Sequence, residues 1–114
     1  MIAQDATGTI LVLTTLPDVE EAQRFVQRLV EERLVACGTV VDSVTSVYRW
    51  EGRVERATEV QVILKTQRAR WRDLEIAVEQ LHPYDVPELL AVPIETGLPA
   101  YLDWVVSETA QQQG

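Results

Sequence analysis

The chain has 114 residues, of which 46% are hydrophobic and 25% charged, the balance of one globular domain spanning residues 1–114 rather than of a fibrous or disordered chain. Eighteen acidic residues against ten basic ones give a net charge of -8, which repels phosphate backbones and anionic lipid and makes nucleic acid and membrane poor partners. A single cysteine, Cys37, forbids an intramolecular disulfide. With short apolar runs and no secretory pattern in Met1-Ile2-Ala3-Gln4-Asp5, it leads us to expect a cytoplasmic location.

The β-branched run Thr9-Ile10-Leu11-Val12-Leu13-Thr14 predicts a first strand from Gly8 to Thr15, covered on at least one face. Pro17-Asp18 breaks it, and Asp18 with Glu21 three residues later predicts a helix start. Val19, Ala22, Phe25, Val26, Leu29 and Val30 then share a face to about Leu34.

Thr39 to Trp50 and Arg53 to Thr66 read as the arms of a hairpin turning at Glu51-Gly52. In the second arm Val60, Val62 and Leu64 alternate with Gln61, Ile63 and Lys65, giving one apolar face. Trp71, Leu74, Val78 and Leu81 predict a second helix that Pro83 stops at His82. Leu89 to Ile94 reads as an edge strand because Pro93 cannot donate to a ladder. Pro99 opens a short last helix with Leu98, Tyr101, Leu102 and Val105 on one face, and Gln111 to Gly114 reads as a frayed tail. The order β-α-β-β-α-β-α predicts an α+β, ferredoxin-like split β-α-β fold with a C-terminal helix.

The hairpin is overlong. The first helix is covered by about eight strand residues, which leaves about four residues per arm, or roughly 13 Å of ribbon, projecting. A bare ribbon is marginal in water, yet this one carries Val44, Val47, Tyr48 and Trp50, which therefore read as an oligomer interface. Closed symmetry is the usual way to cover such edges, and a homo-oligomer is expected.

Several segments carry a resemblance: Val30-Glu31-Glu32-Arg33-Leu34-Val35-Ala36-Cys37, Val44 to Gly52, Ile63-Leu64-Lys65-Thr66, His82-Pro83-Tyr84-Asp85-Val86-Pro87-Glu88 and Gly97 to Trp104. In order and together they resemble the CutA family over about Thr9 to Glu108. The resemblance implies a ferredoxin-like protomer, a homotrimer whose long hairpins reach neighbouring subunits, an architecture similar to P-II signalling proteins, and a role in divalent-cation tolerance linked to copper binding. It implies no defined reaction. The chain departs from relatives that carry a cysteine at Thr14 and a histidine at Leu81, and it has Gly38-Thr39 and Asp42 where valine, asparagine and proline are more frequent.

Cys37 and His82 are the only thiol and imidazole and so the candidate metal ligands. One chain does not supply a closed set, which leaves convergence in a trimer or help from Glu59, Asp85 or Glu88. The plainer readings are a strand-start cysteine that packs inertly and a histidine that caps a helix C-terminus. Gly38 is expected to permit a bulge or a close backbone approach. Tyr84, Asp85 and Glu88 sit in a proline-bounded loop, and with Lys65 they are the candidates for a cleft holding a small anion or a protein partner, as in a P-II-like sensor or scaffold. The five glycines are scattered at 8, 38, 52, 97 and 114, so no phosphate loop forms. With one histidine and no nucleophile pair, an enzyme is the weakest class.

Overall fold

The β-branched run forms strand β1 (Thr9–Leu16), in a computed structural model that describes residues 8–111. The N-terminal Met1 to Asp5 and the tail beyond Gln111 lie outside the described residues. Helix α1 (Val19–Glu31) starts as the sequence predicts, with the Asp18 carboxylate accepting the Glu21 amide at 2.8 Å. It ends short of Leu34, because Arg33 takes the left-handed conformation (φ 59°) and Leu34 N–H returns to the Leu29 carbonyl at 3.0 Å. That reversal carries no glycine and so has no mark in the sequence.

Strands β2 (Cys37–Trp50) and β3 (Arg53–Gln67) form the hairpin, each starting or ending slightly beyond the expected arms. Glu51 and Gly52 both have positive φ (48° and 82°), the two-residue turn whose twist matches that of the flanking strands. A 3₁₀ turn at Arg68–Arg70 leads into α2 (Trp71–Leu81), which His82 closes as its C-cap. Strand β4 (Leu90–Pro93) and helix α3 (Pro99–Glu108) complete the chain.

The sheet order is β2-β3-β1-β4 with every neighbouring pair antiparallel. This is the ferredoxin-like split arrangement, and Pro93 sits on the β4 edge, where a missing donor is tolerated. Val12, Leu16, Val60, Val62 and Leu64 point at α1 and α2 and meet Ala22, Leu29, Leu74 and Val78, all buried. Each fully buried valine or leucine stabilises by about 1.5–3 kcal/mol, so this layer holds the domain together. Gly38 has a different role from the one expected. A Cβ there would stand 2.7 Å from Val26 Cγ1 and 2.8 Å from Leu64 Cδ2, so glycine lets α1 side chains sit close on β2. The bulge lies further on, between Val41 and Val44, with Ser43 at φ 61°.

The register measures the overhang. β1 leaves β3 after the Leu16–Val60 pair, while β2 and β3 continue for seven more pairs, from Val44–Glu59 to Trp50–Arg53. Seven residues at 3.3 Å make roughly 23 Å of two-stranded ribbon, longer than the sequence estimate because β1 and α1 both stop early relative to the hairpin. The last helix also differs in part. Leu102 and Val105 are buried as predicted, but Leu98 is 71% exposed and Tyr101 41%, so half of the expected apolar face is largely open among the described residues.

Candidate functional site

His82 closes α2 with its ring directed inward and is 8% exposed. Nε2 lies 2.8 Å from the Thr15 carbonyl and 3.4 Å from Thr14 Oγ1, while Nδ1 accepts the Tyr84 amide at 3.1 Å. A carbonyl only accepts, so Nε2 carries the proton and the ring is the neutral Nε2–H tautomer. Burial lowers its pKa, against smaller opposing effects of the Thr15 carbonyl and of Glu21 and Glu59. Phe25 meets the ring edge-on at 5.7 Å, and Tyr84 lies tilted at 4.9 Å.

Tyr84 carries the network onward. Its hydroxyl donates to Glu59 Oε2 at 2.6 Å, and burial followed by the Glu59 bond raises the phenol pKa far above its ordinary value. Glu59 is only 9% exposed and forms the first pair of the free ribbon with Val44. Thr15, His82, Tyr84 and Glu59 thus link β1, the loop after α2 and the base of the hairpin.

Cys37 opens β2 and is half-buried, with Sγ 3.5 Å from Tyr101 Oη. The thiol contact and then burial push the Tyr101 phenol up to about 12. By register Cys37, Lys65 and Gln67 share the sheet face turned from α1 and α2. There Lys65 Nζ donates to Thr39 Oγ1 at 3.2 Å, and Gln67 Nε2 donates to Thr109 Oγ1 at 2.9 Å, so α3 covers one end of this face. The remainder, including Leu11, Leu13 and Ile63, is half-exposed.

The candidates therefore fall into separate groups. Cys37 pairs with Lys65, whereas His82 bonds Thr15, whose partner Gln61 is four residues along β3, roughly 13 Å away. Among the described residues no three histidine, cysteine, aspartate or glutamate side chains gather as a metal site. Within one chain, Cys37 and His82 do not fit a closed copper centre. Tyr84 and Asp85 do come together, lining a cleft of about 500 Å³ with Trp71, Glu75, Glu79 and Val86, while Glu88 is exposed beside it and Lys65 lies elsewhere. Of the interface candidates, Val44 is half-buried, whereas Val47, Tyr48 and Trp50 are exposed. Sequence reasoning weighed Glu59 only as a spare carboxylate and missed its bond to Tyr84, for which no sequence signal exists across a separation of 25 residues.

Comparison with known proteins gives a consistent set of similarities. Residues 10–108 match the family described as CutA1 divalent ion tolerance protein. A divalent-cation tolerance protein CutA of Thermus thermophilus is 43% identical over 99 residues, covering 87% of this chain and 96% of the relative. The crystal structure of CutA1 from Oryza sativa superposes with a TM-score of 0.89 at 35% identity, covering 95% of this chain and 99% of the other. A structure described as the periplasmic divalent cation tolerance protein CutA from Archaeoglobus fulgidus gives 0.85 at 36% identity, covering 89% and 98%.

Proposed function

The chain belongs to the CutA1 divalent ion tolerance family, and on that premise we propose that it acts in divalent-cation tolerance as a homotrimer that takes copper or a similar ion weakly at surfaces completed by neighbouring subunits. The observation carrying this reading is the ribbon of seven pairs, which leaves Val47 exposed on one face and Tyr48 and Trp50 on the other, apolar side chains that a neighbouring subunit would cover. The half-buried Cys37 thiol is the accessible soft donor, and a carboxylate from a second chain completes a set that one chain lacks. A metal reaching His82 Nδ1 has to displace the Tyr84 amide, which keeps binding weak. No reaction is assigned.

Calorimetry with copper and zinc on the assembled protein tests the proposal. Weak binding that falls further in Cys37→Ala and His82→Ala supports it, and binding unchanged in both removes those ligands. The cytoplasmic location is part of the proposal. The periplasmic description of the Archaeoglobus relative points the other way, and cell fractionation decides between them.

A second reading, a P-II-like sensor or scaffold binding a small anion or a protein partner between subunits, has one observation in its favour. The Lys65 ammonium is bonded to a neutral hydroxyl on the partly uncovered sheet face. Thermal-shift screening of anionic metabolites tests it, and a flat screen beside measurable metal binding dismisses it.

A further inference from the structure

Helix α2 presents Trp71, Glu75, Val78 and Glu79 along one face, at the spacing of successive turns, and the loop from Tyr84 to Leu89 lies across from them. Together they line the cleft of about 500 Å³. That volume suits a small organic molecule, whose sites run about 300–1,000 Å³. Its aromatic walls are preformed. Trp71 and Leu89 are half-buried against the core, and Val78 is fully buried. Tyr84 is fixed by its ring against His82 at 4.9 Å and by its hydroxyl on Glu59. Val86 also lines the cleft but is 73% exposed and gives little cover.

The charge on this cleft has one sign. Glu75, Glu79 and Asp85 line it, and among the described residues no lysine, arginine or histidine does. Arg72 Nη1 holds Glu75 at 3.0 Å, whereas Glu79 and Asp85 have no ion-pair partner among the described residues. These carboxylates do not gather as a metal site, so a compact ion finds no closed donor set here. An extended organic cation has different needs. Its charged ends meet carboxylates on separate elements, Glu79 on α2 and Asp85 on the loop, while its methylene groups lie on Val78, Pro87 and Leu89. An ammonium group over the face of Trp71 or Tyr84 is attracted by the ring quadrupole as well.

We propose that the cleft walled by Trp71 and Tyr84 binds an alkyl diamine, with Glu79 and Asp85 each taking one ammonium group. The aromatic walls and carboxylates select the charge, and the apolar lining takes the alkyl segment between the two ends. With no cationic side chain lining it, the same cleft rejects anions of similar length. Every group involved belongs to one chain, so the site depends on neither the trimer nor copper.

Calorimetry of the purified protein with 1,4-diaminobutane tests this, with butylamine, 1,4-butanediol and succinate as probes of the same chain length. The diamine is expected to bind, butylamine about tenfold or more weakly, and the diol and succinate not at all. Glu79→Gln with Asp85→Asn lowers the diamine affinity by about tenfold or more, whereas Glu20→Gln with Glu95→Gln, two exposed carboxylates that do not line the cleft, leaves it unchanged. The indole N–H resonance of Trp71, assigned through Trp71→Phe, moves during the titration. Absence of diamine binding at millimolar concentration overturns the proposal, as does equal binding of the diol. An equal loss in the Glu20 and Glu95 variant overturns it too, because attraction to the net charge of -8 then accounts for the binding. Resonance shifts confined to Trp50 or Trp104 place the diamine elsewhere and overturn it as well.

Discussion

Tyr84 Oη donates a 2.6 Å hydrogen bond to Glu59 Oε2, fastening the proline-bounded loop after α2 to the residue at which the hairpin leaves the sheet. This bond holds a nearly buried carboxylate at the base of a ribbon that has no third strand beside it among the described residues. Tyr84→Phe removes the donor and leaves Glu59 without it. The expected loss is about 1–3 kcal/mol of stability in urea denaturation at fixed protomer concentration. A loss below a few tenths would mean that the carboxylate finds water instead.

The neutral, buried His82 ring gives a pH dependence of definite sign. Its folded pKa is lowered, so as pH falls below the unfolded value of about 6.5 the unfolded chain binds a proton that the folded chain refuses. Stability is therefore complete above about 6.5 and declines as pH falls toward the lowered pKa. His82 is the only histidine, so His82→Gln flattens this slope between about pH 5 and 7. Denaturation midpoints across that range check it, and an unchanged slope contradicts the assigned protonation state.

Two glycines predict costs of different origin. Gly38→Ala places a methyl 2.7 Å from Val26 and 2.8 Å from Leu64, and overpacking there is expected to cost about 1–3 kcal/mol. Gly52→Ala meets nothing within 4 Å but forces a side chain onto φ +82°, a backbone strain of about 1 kcal/mol. Val26→Ala should relieve only the part of the first loss that Val26 causes, because Leu64 Cδ2 still stands 2.8 Å from the methyl, and should leave the second loss unchanged, which thermal denaturation of the double variants reads directly.

Much of the fold was legible because its signals are local. Asp18 with Glu21, Glu51-Gly52, Pro83 and Pro93 mark boundaries through backbone chemistry that neighbouring residues dictate, and the alternation of Val60, Val62 and Leu64 marks the buried face. Arg33 and Ser43 carry no such mark, since each takes a positive φ without being glycine, asparagine or aspartate, and the early end of α1 and the bulge go with them. The overhang was underestimated for the same reason, as its length depends on where β1 stops pairing with β3. The site was less legible still. His82, Tyr84 and Glu59 are brought together by the fold and not by spacing, and the separation of Cys37 from His82 appears only once the strand register is known.

The central claim is that the exposed ribbon makes this chain a homotrimer. Light scattering of the purified protein at micromolar concentration tests it directly. The account predicts three times the 12.9 kDa chain mass, and a particle of 12.9 kDa would contradict it.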